Sequence, residues 1–192
     1  MRLGLLVFFV MSLPLQGFAH EAKHPKKLDL FLHPGGLTVD ISYRTSPGMA
    51  SIRFRSDVDV DGNGKVDGPE IKRLVRRLKG YATFGLAIAL NGKKVELSEE
   101  SVLISGVAGS VNSGQPLVLK LKLKLLHEWT LKKTRITVQD HLPIRTQLIS
   151  GRCRSEGISV DSCGSFHLSK QHIFEAIIYP SNESESRPKT DF

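Results

Sequence analysis

Twelve residues, Asp59-Val-Asp-Gly-Asn-Gly-Lys-Val-Asp-Gly-Pro-Glu70, place oxygen donors at the intervals that a hard cation needs. Calcium takes roughly six to eight oxygens, and a loop of this length supplies them from positions 1, 3, 5, 7, 9 and 12. Here those positions hold Asp59, Asp61, Asn63, Lys65, Asp67 and Glu70. Lys65 would offer only its carbonyl, Asp67 would act directly or through a water, and Glu70 would close the site with both oxygens. Gly64 falls where the backbone must turn sharply, and Val66 would point inward. Four carboxylates so close together repel one another unless a cation lies between them. A solvated turn is the alternative, since Asp, Asn and Gly are ordinary turn formers. The register can be tested within the loop. A start at Asp57 would bring Gly68 to the closing position, where no carboxylate is available, so Asp57 is excluded from the ligand set.

This loop and the segment after it resemble the EF-hand calcium-binding family. The resemblance implies a bound Ca2+ flanked by an incoming and an outgoing helix. The outgoing helix is supported by Ile71, Leu74, Val75 and Leu78 at helical spacing, with Pro69 in its first turn and Gly80 as a stop. Lys72, Arg73, Arg76, Arg77 and Lys79 would then lie largely on its wet side. The incoming segment, Met49 to Arg55, reads as two helical turns or, from Phe54 and the alternating arginines, as strand. The chain departs from the family pattern in having no second loop of this kind.

Other residues carry weaker chemistry. His20 and His24 lie near a predicted mature N-terminus, where an amine and imidazoles, with His33 as a further candidate, would hold copper or nickel. His127, Asp140, His141 and His167, with Ser165 and Ser169, supply the residue types of a hydrolase. No G-x-S-x-G elbow presents a serine, and the reading is that the chain is not an enzyme. Cys153 and Cys163 are spaced unlike a zinc or redox motif and are expected to form a disulfide that staples a hairpin.

These residues need elements to position them. Residues 1–19 read as a secretory signal peptide, with Arg2, an apolar run from Leu3 to Met11 and the small-residue site Gly17-Phe18-Ala19. Cleavage after Ala19 would release a protein with no membrane span into the periplasm or outside the cell. The formal net charge is +8, of which Arg2 contributes one. That excess suits an anionic membrane surface or an acidic protein as partner. A nucleic-acid partner is not expected, since no helix-turn-helix, zinc-finger or RNP motif is present.

The expected fold is mainly β, an Ig-like sandwich of about eight strands in one domain over residues 20–180, interrupted by the calcium loop and helix at 46–80. Candidate strands run from Leu28 to Leu32, Leu37 to Tyr43, Leu86 to Leu90, Lys94 to Leu97 and Val102 to Val107. Further strands are expected at Leu117 to Leu125, Arg135 to Gln139, Ile144 to Ser150 and His172 to Tyr179. Asn91-Gly92 marks a tight hairpin. The Leu117 to Leu125 stretch alternates longest and should be a central strand. Residues 181–192 read as a disordered tail that contains the sequon Asn182-Glu183-Ser184. This order of elements also resembles the extracytoplasmic N-terminal domain of hydrogenase and urease accessory, nickel-transporter-like membrane proteins. Because the chain has no transmembrane bundle, that resemblance implies a free-standing relative of the domain and not transport.

Overall fold

A computed structural model describes residues 26–107, 109–129, 132–141, 149–169 and 172–179. The predicted signal peptide, His20, His24, the tail with its sequon, and the start of the strand expected from Ile144 lie outside the described residues. The chain is mainly β, with eleven strands in two sheets and two helices among the described residues.

The strands in chain order are β1 (Lys26–His33), β2 (Gly36–Arg44), β3 (Leu86–Leu90), β4 (Lys93–Lys94), β5 (Ser98–Ser105) and β6 (Val118–Leu126). They continue with β7 (Thr134–Asp140), β8 (Ile149–Ser155), β9 (Ser159–Asp161), β10 (Ser165–Leu168) and β11 (Phe174–Tyr179). The helices α1 (Met49–Ser56) and α2 (Gly68–Thr83) are both inserted between β2 and β3. One sheet has the order β10-β8-β1-β2-β6-β5 and the other β4-β3-β7-β11-β9, a sandwich-like arrangement. Within the first sheet only β1 and β8 pair in parallel; their chain neighbours are antiparallel.

Period-2 alternation sets which face is buried. Leu28, Leu30 and Leu32 of β1, Val39, Ile41 and Tyr43 of β2, and Leu119, Leu121 and Leu123 of β6 all point into one core. Their neighbours Asp29, Asp40, Lys120 and Lys122 are exposed on the other face. The second sheet contributes Ile88, Ile136, Val138, Ala176 and Ile178 to the same core, and α2 contributes Leu74, Leu78 and Ala82. Helix α2 lies against β2 and β6, the interior strands of the first sheet. Its apolar stripe therefore docks where the Leu-rich strand is most continuous.

Three features tie the two sheets together or staple their edges. Lys26 of β1 donates to Asp140 of β7 at 2.5 Å, with both side chains almost fully buried. Desolvation holds the Lys26 ammonium below its ordinary pKa, and the Asp140 carboxylate opposes that shift. Phe166 of β10 stacks on Phe174 of β11 at 4.4 Å. Gly151 permits this, because a Cβ there would lie 2.2 Å from the Phe166 ring. Cys153 and Cys163 form the expected disulfide, with Cα atoms 4.9 Å apart, holding β8 to the approach of β10.

Several boundaries differ from expectation. The Asn91-Gly92 hairpin forms, but its second strand is only Lys93–Lys94. Strands β9 and β10 exceed the expected number; both are short and take their pairing from distant partners, β11 and β8. Met49 to Ser56 resolves the ambiguous incoming segment as helix. Helix α2 continues past Gly80 to Thr83, because Ala82 is buried and Tyr81 packs edge-on against Phe54 at 5.2 Å.

Candidate metal centre

The Asp-rich loop joins the end of α1 to the start of α2. Asp59 follows the last turn of α1, with its N–H on the Arg55 carbonyl at 3.2 Å. Glu70 lies in the first turn of α2, and its N–H bonds the Asp67 carbonyl at 2.8 Å. Between them Gly64 adopts φ 76°, a conformation that side-chain-bearing residues disfavour. Val66 is buried, as its inward position requires.

The carboxylates of Asp59, Asp61 and Glu70 converge, each offering an oxygen within 4.8 Å of the others. Among the described residues this is the only such group of three His, Cys, Asp or Glu side chains. Their surroundings differ by depth. Asp61 is exposed and is satisfied locally, accepting the Asn63 N–H at 3.0 Å and the Asn63 side-chain amide at 2.9 Å. Asp59 Oδ2 accepts the Gly64 N–H at 3.1 Å, and Glu70 Oε1 accepts the Val60 N–H at 2.7 Å. The second oxygens, Asp59 Oδ1 and Glu70 Oε2, are buried and have no hydrogen-bond partner. Glu70 as a whole is only 4 % exposed. A buried carboxylate oxygen without a donor costs free energy, and two of them beside a third acid form an oxygen set that a cation would satisfy.

The remaining predicted ligands lie around this group. Asn63 Oδ1 accepts the Lys65 N–H at 2.8 Å and retains a second lone pair. The Lys65 carbonyl is not used in the short bridge that the loop makes to Ser110, where the Val111 N–H bonds Gly64 at 2.9 Å instead. Asp67 is exposed and lies immediately before α2, outside the three-carboxylate cluster; it makes no side-chain cap to that helix. Asp57 is also outside, paired with Arg77 at 2.6 Å.

One supporting residue gave no sequence signal. Arg55 is fully buried in α1 and donates to the carbonyls of Ser51, Ser113, Gly106 and Gln115 at 3.1, 2.7, 2.5 and 2.9 Å. The connection from β5 to β6 therefore grips α1 through Arg55 and the Asp-rich loop through Val111. Nothing in Arg-Phe-Arg marks Arg55 rather than Arg53, which is exposed.

The histidine candidates do not converge. His127 packs edge-on against Trp129 at 4.8 Å, and Trp129 Nε1 donates to the His33 carbonyl. The Asp140 carboxylate is engaged by Lys26, while His141 and His167 are exposed on separate segments. Ser169 and His172, three positions apart in the chain, share a hydrogen bond at 2.8 Å. No protein-family model matches the chain, and no curated protein matches it.

Proposed function

We propose that this is a calcium-binding protein of an oxidising compartment, in which one EF-hand-like site locks the loop between α1 and α2 and orders the basic helix α2 for contact with a partner. The observation that carries this reading is the pair of buried, unpartnered oxygens, Asp59 Oδ1 and Glu70 Oε2, in a three-carboxylate cluster. All the donors that loop spacing assigns, Asp59, Asp61, Asn63, Lys65, Asp67 and Glu70, are oxygens. A purely oxygen set suits a hard cation, and a large ligand number in an adaptable loop suits calcium over magnesium. The disulfide and the absence of a membrane-crossing helix among the described residues are compatible with such a compartment.

The ion's role would be mechanical. It would bind the end of α1 to the first turn of α2 through Asp59 and Glu70, while Val111 and Arg55 hold that corner to the β5–β6 connection. Extracellular calcium modules work at about 10⁻⁴ to 10⁻³ M, so a constantly loaded clamp is reasonable where calcium is abundant. Calorimetric titration with calcium, magnesium, copper and nickel tests the reading. The expected result is one calcium per chain, with Asp57→Asn binding like the wild type. No heat with calcium, or equal losses in Asp57→Asn and Glu70→Gln, would reject the site or its register.

A further inference from the structure

We propose that the outer face of α2 docks on an anionic lipid bilayer, with arginines at the level of the phosphates and Phe84 and Tyr81 entering the apolar boundary. Arg73, Arg77, Gly80 and Phe84 follow one another at intervals of three or four, with Arg76 one turn after Arg73, which places them along one side of the helix and its exit. Lys72, Arg73 and Arg76 are exposed and make no ion pair among the described residues. Arg77 is held differently, paired with Asp57 and lying over the Phe54 ring at 5.5 Å. That leaves the first three cations available to an outside anion.

The aromatic end of the row favours lipid over an acidic protein. Phe84 is 61 % exposed and Tyr81 is 46 % exposed, and with Arg77 and Gly80 they line a shallow, almost wholly apolar notch. The missing side chain at Gly80 opens that notch. Acidic peptides would satisfy the cations but give Phe84 nothing apolar to enter. A bilayer surface offers both layers, phosphate charge above and hydrocarbon below, in the order in which the helix presents its groups. Three exposed cations near an anionic leaflet together with the two rings suffice for reversible attachment.

This docking rests on the calcium reading only for its rigidity, since Glu70 belongs to the first turn of the same helix. The test is co-sedimentation of the full chain, expressed with its own N-terminal segment and used as recovered. Vesicles of phosphatidylcholine alone are compared with vesicles that also contain phosphatidylglycerol, in calcium and in chelator, with soluble polyglutamate as a second probe. The expected result is binding to the phosphatidylglycerol vesicles that weakens with salt. Arg73→Gln with Arg76→Gln should reduce partition about 30-fold and Phe84→Ser about tenfold, with unchanged circular dichroism. Equal binding to neutral vesicles, variants that partition like the wild type, or capture by polyglutamate without vesicle binding would each overturn the proposal. A calcium isotherm without vesicle binding would leave the clamp standing and remove the docking. Vesicle binding without a calcium isotherm would do the reverse.

Discussion

Replacing Glu70 by Gln separates the ion's contribution from that of the protein scaffold, because the two have opposite signs. Glu70 Oε1 accepts the Val60 N–H, while Oε2 and Asp59 Oδ1 are buried without partners. The amide keeps the first bond, removes one negative charge and brings a donor toward the acidic cluster. Two unit charges within 4.8 Å repel by about 1 kcal/mol in the limit of bulk water and about 3 kcal/mol near a protein surface. Glu70 faces half-buried Asp59 and exposed Asp61, so relief of both repulsions is worth about 2 kcal/mol. In chelator the variant should therefore melt about 4–8 °C above the wild type. Calcium at about a hundred times its dissociation constant should stabilise the wild type by about 2.7 kcal/mol, or roughly 5–11 °C. The variant should gain almost nothing, and its affinity should fall by more than the 10- to 100-fold that loss of an outer-shell partner typically costs. Differential scanning calorimetry in chelator and in calcium measures both terms. A variant that melts below the wild type in chelator, or that keeps the calcium shift, would refute the placement of Glu70 as a ligand.

Three further outcomes follow from buried groups. Arg55→Met should cost about 3–5 kcal/mol in urea unfolding, because four carbonyls lose their donor and the β5–β6 connection loses its hold on α1. Lys26→Met should cost a similar 3–5 kcal/mol by removing the ammonium that faces the buried Asp140 carboxylate, whereas Lys26→Met with Asp140→Leu should recover most of that loss. Equal costs for the single and double variants would show that packing, not charge, dominates there. Burial, assisted by neighbouring Tyr81, raises the Tyr43 phenol well above its ordinary pKa. The folded state thus prefers the neutral phenol. The stability this confers is complete below the unfolded value of about 10 and declines as pH climbs from there toward the raised value. Denaturant melts through that alkaline window should show a smaller decline in Tyr43→Phe.

The Asp-rich loop was readable because its geometry is local. The order of its acidic residues, the turn at Gly64 and the inward Val66 all lie within twelve consecutive residues, and period-2 alternation exposed most of the strands for the same reason. Beyond the reach of local patterns the reading weakened. Met49 to Ser56 has alternating arginines that suit a strand, yet it is helical because Phe54 meets Tyr81 and Arg55 reaches the β5–β6 connection. β8 runs through the polar Gly-Arg-Cys-Arg because β1 pairs with it in parallel and the disulfide anchors it.

Residue types and short spacings therefore marked the Asp-rich loop, the disulfide partners, the basic character of α2 and the mainly β architecture. Tertiary structure alone decided which oxygens are left buried without donors, that Arg55 rather than Arg53 secures the site, and that Lys26 meets Asp140 across 114 positions of chain. The division has a physical cause. Hydrogen-bonding and turn preferences act between near neighbours and leave a periodic imprint, whereas desolvation depends on which distant surfaces close over a group, and no local pattern records that.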